Sequence, residues 1–187
     1  MKKTEAKRQL IVEQIAEHLL EHGMQASGLR TLAAAAGTSD RMLLHYFANK
    51  EELMTAVLNR VAVRMLDLLE NARATQAPFQ TLLPHLAGMM KDPAMRPFLR
   101  LWLELAALSA AEEEPYRSIA RQIGDGFYQW LASALKVEAE EDRAPLAALA
   151  FAAIEGFVFL DAIDESSIIA SALEAIGMQH TFFATNR

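Results

Sequence analysis

Residues 33–53 read AAAAGTSDRMLLHYFANKEEL, and two helix starts crowd into them, at Ser39 and at Asn49. Serine and asparagine side chains accept the free N–H groups at a helix amino end, and Glu51 and Glu52 are acids of the kind favoured in a first turn. Two helices that cross steeply through a tight turn need three things: a small residue where they touch, a glycine free to take positive φ, and an apolar residue aimed back into the junction. Ala33, Gly37 and Leu43 supply them in order. With Leu43 taken as inward, a helix turning about 100° per residue puts Phe47 about 40° away, and Arg41 and His45 about 160° and 200° away. Leu43 and Phe47 therefore face in, and Arg41 and His45 face out together. A short capped helix carrying Ser39, Asp40, Arg41 and His45 on its amino end and outer face suits a DNA major groove, whose base edges present donors and acceptors.

Outward from this stretch, apolar residues recur at spacings of three and four and beta signals are scarce, which predicts an all-α protein of about nine to ten helices. The first runs from about Thr4 to Glu21 with Gly23 at its stop, and the second covers Leu29 to Ala36. The third ends by Phe47, and the fourth runs from the Asn49 cap to about Arg73. Beyond Thr75 the helices become more apolar and are punctuated by proline. Pro78 and Pro84 frame or kink one reaching about Lys91. Asp92-Pro93 reads as a cap and first position, with Pro97 either tolerated in that first turn or opening a new helix to about Ala110. Glu112-Glu113-Glu114-Pro115 opens the next, to about Lys136. An apolar helix follows from about Ala144 to Ile163, and a last one begins at Ser166 and ends at Gly177. Residues 1–50 form the expected helix-turn-helix DNA-binding domain, and residues 51–187 a helical regulatory and dimerisation domain.

The residues also match a known pattern. Arg8, Gly23, Leu32-Ala33, Ala36-Gly37, Thr38-Ser39, Leu44-His45-Tyr46-Phe47 and Lys50-Glu51-Glu52-Leu53 stand at coincident spacings over about residues 8–58, and there the chain resembles the TetR family of transcriptional repressors. The resemblance implies that Tyr46, Lys50 and the amino end of the second helix contact backbone phosphates, while the third helix reads bases. The expected DNA-binding set is thus Ser27, Arg30, Thr38, Ser39, Asp40, Arg41, His45, Tyr46 and Lys50. Two positions depart from the pattern: Leu44 stands where the family usually has an aromatic residue, and Ser27-Gly28 where it has a threonine pair. The alternative for Arg41 and Lys50 is an ordinary solvated charge, and for Ser39 and Asn49 a plain helix cap.

Charge agrees with a reader at one end. The chain of 187 residues carries a formal −6, but residues 1–50 hold seven Lys/Arg against five acids, while residues 51–187 hold eleven against nineteen. No cysteine is present, so disulfides and thiolate metal sites are excluded. The charged opening MKKTEAKRQL and the lack of an uninterrupted apolar run of about 18 residues predict a soluble, cytoplasmic protein with no membrane partner. His18-x-x-Glu21-His22 matches an inverted zinc-peptidase pattern, with the two histidines as ligands and Glu21 as base. That helical metal-enzyme reading lacks a further carboxylate ligand, and no nucleophile elbow, P-loop or dinucleotide fingerprint accompanies it. No enzyme activity and no cofactor are expected.

One short recognition helix contacts too few bases for specificity in a genome, so a partner copy is expected. In RAPLAALAFAAIEGFVFLDAI, residues 143–163, Ala144, Ala148, Ala152 and Gly156 repeat every fourth residue and would admit a neighbouring helix closely. The expected homodimer face is Ile123, Phe127, Ala148, Ala152, Gly156 and Leu160; the alternative is a helix buried in its own subunit. The resemblance also implies a pocket for a small apolar or amphipathic effector among the middle helices. Its candidate lining is Met89, Met90, Phe98, Leu101, Trp102, Leu105, Phe127 and Trp130, with Glu104 as an orienting charge; plain core packing is the alternative. The expected function is a ligand-responsive homodimeric repressor, against an activator or a regulator controlled by a protein partner.

Overall fold

The computed structural model describes the backbone of residues 2–72 and 75–184 and the side chains of 4–72 and 75–177. Its described α-helices are α1 (Lys2–His22), α2 (Leu29–Ala35), α3 (Asp40–Tyr46), α4 (Lys50–Ala72), α5 (Phe79–Met89), α6 (Arg96–Ala110), α7 (Tyr116–Ala134), α8 (Arg143–Ala162) and α9 (Ser166–Ala184). The all-α expectation holds. Two short 3-10 turns, Met24–Ala26 and Glu140–Asp142, stand where the sequence reading had only connections. The expected end of α4 at Arg73 lies outside the described residues.

Two boundaries differ from expectation. Asp92-Pro93 does not start a helix: the Asp92 carboxylate accepts the Ala94 N–H at 2.8 Å, its carbonyl accepts from Met95 at 2.9 Å, and this closes a turn. α6 begins later, at Arg96, with Pro97 in its first turn, where a missing N–H costs nothing. α9 continues past Gly177 to Ala184, because one glycine in an otherwise helical pattern weakens a helix by only about 1 kcal/mol.

By its contacts the chain divides into two compact units, residues 1–69 with 97–124, and residues 70–96 with 125–187. The first holds α1 to α3, most of α4, α6 and the start of α7. Its core is Ile11, Ile15, Leu19, Leu32, Leu43, Phe47, Leu53, Met54, Leu58 and Leu105, all essentially inaccessible. Burying each such side chain stabilises the fold by about 2 kcal/mol. The second unit packs α5, α8 and α9 on one another. In it Arg143 donates to the Ala132 and Leu135 carbonyls at 2.8 and 2.7 Å, satisfying acceptors that the end of α7 leaves open.

α8 buries Ala147, Ala150, Ile154, Phe157 and Val158. The stretch Glu140–Ala162 is long and apolar enough, by length and composition alone, to cross a membrane, yet only 28% of an apolar run of 18 residues within it is buried. Ala148, Leu149, Ala152, Gly156 and Phe159 form an exposed stripe of small and apolar residues that continues to Ile163 just past the helix.

Candidate nucleic-acid interface

The turn between α2 and α3 is closed by backbone where α2 ends and by a side chain where α3 starts. Gly37 takes φ +59°, its N–H donates to the Ala34 carbonyl at 3.0 Å, and the Thr38 N–H donates to Ala33 at 2.9 Å. These paired bonds around a left-handed residue terminate α2, and glycine adopts that conformation without the Cβ penalty. Two residues later the Ser39 hydroxyl accepts the Met42 N–H at 3.2 Å and starts α3. Leu43 and Phe47 are buried, and Asp40, Arg41 and His45 are exposed, as the 100° rotation requires. Met42 and Leu44 stand out beside them, 40% and 46% exposed, so the outer face mixes charge with apolar surface. The Asp40 carboxylate accepts the Arg41 N–H at 3.0 Å. The His45 and Tyr46 rings meet edge to face at 5.3 Å. Thr38, Tyr46 and Lys50 are half-buried and Arg30 is exposed.

The step from α3 to α4 is held by one carboxylate. Asn49 Oδ1 accepts the Glu52 N–H at 2.8 Å, and Glu52 reaches back to accept the Ala48 N–H at 2.6 Å, so cap and first turn satisfy each other. Arg8 of α1 pairs with the other Glu52 oxygen at 2.9 Å and lies 4.6 Å above the Phe47 ring. The Ala48 N–H, and then Arg8, hold the Glu52 carboxyl below its ordinary range.

Behind this head, α6 and α7 grip the corner between α1 and α2. Arg100 donates to the Leu20 carbonyl at 2.7 Å, one of the acceptors the end of α1 leaves free. Glu104 accepts the Met24 N–H at 2.5 Å. Gly23 permits that approach: it takes φ +80°, and a Cβ there would lie 2.7 Å from both Glu104 oxygens. Tyr116 hydrogen-bonds Ser27; burial, with Glu113 and Glu51 nearby, pushes its phenol above the ordinary value despite that bond. α4 is tied to α1 separately, by Arg60 to Glu13 and by Arg64 to Glu13 at 2.6 Å and Glu17 at 2.8 Å. Burial pushes the Glu13 carboxyl up, but hydrogen bonds from Arg64 and Arg60 outweigh it and hold the group below its ordinary range.

The sequence reading missed these ties. Glu13 and Glu17 on α1, and Arg60 and Arg64 on α4, share an i, i+4 spacing, and that complementarity was the available signal. Glu104 did stand out as a charge on an apolar face, but its partner is the Met24 backbone. Ser27 does not cap α2: Gly28 takes that place without a side-chain bond, and the Ser27 hydroxyl is engaged with Tyr116.

The effector-pocket candidates do not gather at one site. Phe98, Leu101, Trp102 and Leu105, with Leu58, Val61, Ala62, Met65 and Ile123, line a first-unit cavity of about 30 Å³, the space of a single water. Met90 lines a different cavity, in the second unit. Phe127 and Trp130 stack on each other at 5.9 Å, and Trp130 donates to Glu70 at 2.9 Å. Met89 is half-buried on α5. Of the expected dimer face, Ala148, Ala152 and Gly156 are exposed, whereas Ile123, Phe127 and Leu160 are half-buried. His18 and His22 stack at 4.5 Å, and among the described residues no group of three or more His, Cys, Asp or Glu is placed to hold a metal ion.

The caps, the left-handed turn and the outward Arg41 and His45 all fall within the segment 11–57, which matches the family described as bacterial regulatory proteins, tetR family. That segment belongs to the TetR family. The chain is also 31% identical over 100 residues to the HTH-type transcriptional repressor AcnR of Corynebacterium efficiens, covering 53% of this chain and 48% of that protein. The chain thus spans about half the length of the curated relatives it matches. Its fold resembles a TetR-family regulator from Rhodococcus sp., described as putative there, at TM-score 0.72 and 21% identity over 92% of this chain and 97% of the other. It also resembles the multidrug binding protein EbrR, solved with proflavin, at TM-score 0.67 and 20% identity over 92% and 98%. At such identities the likeness concerns the fold alone. Within the matched segment Leu44 is an exposed aliphatic side chain on the outer face of α3, able to meet a thymine methyl but not to donate a hydrogen bond.

Proposed function

We propose that the chain is a sequence-specific DNA-binding transcriptional repressor that acts as a homodimer and responds to a small ligand. The observation that carries this is α3: capped by Ser39, anchored by buried Leu43 and Phe47, and presenting Arg41 and His45 to the outside. In this reading Arg41, His45 and Leu44 meet base edges. Tyr46, Lys50, Thr38 and Arg30 meet phosphates, and Ser39 and Asp40 set the amino end of the helix. Ser27 reaches a phosphate only by giving up Tyr116. The exposed α8 stripe is the dimer face, where Ala148, Ala152 and Gly156 let two helices approach closely.

Ligand response runs through α6. One side of this helix lines the first-unit cavity with Leu101, Trp102 and Leu105, and its Arg100 and Glu104 hold the α1–α2 corner. An apolar or amphipathic effector that widens the cavity shifts α6 and with it that corner. EbrR was solved with proflavin, a planar aromatic cation, which supports the amphipathic end of that effector class. By linkage, operator and effector weaken each other by the same factor.

The reading is tested by selecting DNA fragments from a random pool with the purified chain and measuring mobility shifts over a salt series. A salt-sensitive shift confined to selected sequences, lost in the Arg41→Ala/Lys50→Ala protein, is the expected outcome. A shift that is equal for all sequences, or untouched by the double substitution, sinks it.

A further inference from the structure

The second unit contains a cavity of about 190 Å³, walled by α5, the end of α8 and the start of α9. It is roughly six times the first-unit cavity. For scale, an engineered apolar cavity of about 150 Å³ takes up benzene, so this one has room for about eight non-hydrogen atoms, and with Lys91 and Ser166 exposed it leaves a ligand's polar end in solvent. Its largest apolar lining side chains are Met90, Ile169 and Leu173.

Polar lining comes from Lys91, Asp161 and Ser166. Lys91 and Asp161 carry opposite charges, yet they form no ion pair with each other or with any other described residue within 4.0 Å. A ligand that is only an anion would satisfy Lys91 and be repelled by Asp161, and a simple amine would meet the reverse. Lys91 and Ser166 are exposed and Asp161 is half-buried, so solvent reaches all three, and a ligand with both signs beside an apolar body complements the whole lining.

We propose that this cavity binds an apolar α-amino acid or a zwitterion of similar size. Lys91 and Ser166 take its carboxylate, Asp161 takes its ammonium, and Met90, Ile169 and Leu173 enclose its side chain. Gly88 forms part of the lining, and a Cβ built there meets nothing within 4 Å, so the helix leaves this space empty without steric need. The site lies wholly within the second unit and goes beyond the operator and effector reading above.

The test uses L-leucine as probe on the DNA-free full chain, by calorimetry and by ligand-observed saturation-transfer NMR. Its two half-ligands, 4-methylpentanoate and 3-methylbutylamine, are measured alongside. Leucine is expected to bind saturably, with each half-ligand about tenfold weaker or more. Lys91→Met and Asp161→Asn should each weaken leucine by about fivefold or more. Gly88→Leu, which favours the helix and fills the cavity, should abolish binding without lowering the melting temperature. The proposal is overturned by the absence of saturable binding at millimolar leucine, by a half-ligand that binds as well as leucine, or by leucine affinity unchanged in Lys91→Met and Asp161→Asn. Because no DNA is present, failure here is separate from failure of the operator reading.

Discussion

Glu104 accepts the Met24 backbone N–H at 2.5 Å, so a helix from the middle of the chain closes the corner where α1 hands over to the reading head. Arg100, one turn earlier on α6, closes the neighbouring Leu20 carbonyl. Two polar backbone groups that the end of α1 and the following turn would leave open are thus satisfied from the same helix. The orientation of the head is fixed by contacts that lie far from it in sequence.

Gly23→Ala should be costly for two separable reasons. The backbone there, φ +80° and ψ 179°, is one that only glycine adopts readily, at about 1–3 kcal/mol for any other residue. The new Cβ would also push the Glu104 carboxylate off Met24 and forfeit a charge-assisted hydrogen bond of about 1.5–3 kcal/mol. Denaturant midpoints should show a loss of about 3 kcal/mol in total. In a Glu104→Ala background the same substitution should cost only the backbone part, and equal cost in both backgrounds would rule out the contact.

Acid should loosen the head. Glu52 and Glu13 both have folded-state carboxyl groups held below the ordinary range. A depressed folded value stabilises the protein above the unfolded carboxyl range and loses that effect as pH falls through the folded value. Glu52→Gln should therefore lower stability near neutral pH, by no more than about 1 kcal/mol because the side chain is 43% exposed. The gap should close below about pH 4. Urea melts of both proteins across that range check it, and a gap that widens in acid would contradict the assigned sign.

Arg41 and Lys50 should fail differently. Arg41→Ala is expected to weaken the selected operator by about 1–3 kcal/mol and to relax its sequence preference. Lys50→Ala should weaken all DNA about equally and reduce the slope of log affinity against log salt by about one. Anisotropy titrations at several salt concentrations separate the two, and identical signatures would remove the distinction between base reader and phosphate anchor.

Ala152→Glu places a charge in the middle of the exposed α8 stripe. Sedimentation velocity should show a dimer for the unmodified protein and a monomer for the variant, with little change in its helical content. A variant that still sediments as a dimer would move the interface elsewhere.

Much of the reading head was legible before any coordinates. Ser39, Asn49, Gly37, Leu43 and Phe47 act within a few residues of themselves, through caps, a left-handed turn and one helical rotation, so local chemistry settles them. The start of α6 at Arg96 and the extension of α9 past Gly177 were less legible, since competing helix signals there differ by only about 1 kcal/mol. The effector lining dispersed for another reason. Met, Phe and Trp at helical spacing mark a buried face without saying which cavity it borders, and Met90 and Phe98 proved to line different ones.

The sequence by itself determined an all-α chain with a TetR-type head whose third helix turns Arg41 and His45 outward, because a 3.6-residue period and short-range capping leave little freedom there. Only the tertiary structure decided which distant side chains hold that head: Glu104 on Met24, Arg100 on Leu20, Tyr116 on Ser27, and Arg60 and Arg64 on Glu13. Such pairs join residues tens of positions apart, and their formation depends on which open backbone groups and charges the packed helices bring within reach. The i, i+4 spacings of Glu13/Glu17 and Arg60/Arg64 mark two charged faces, but no local pattern says that those faces meet.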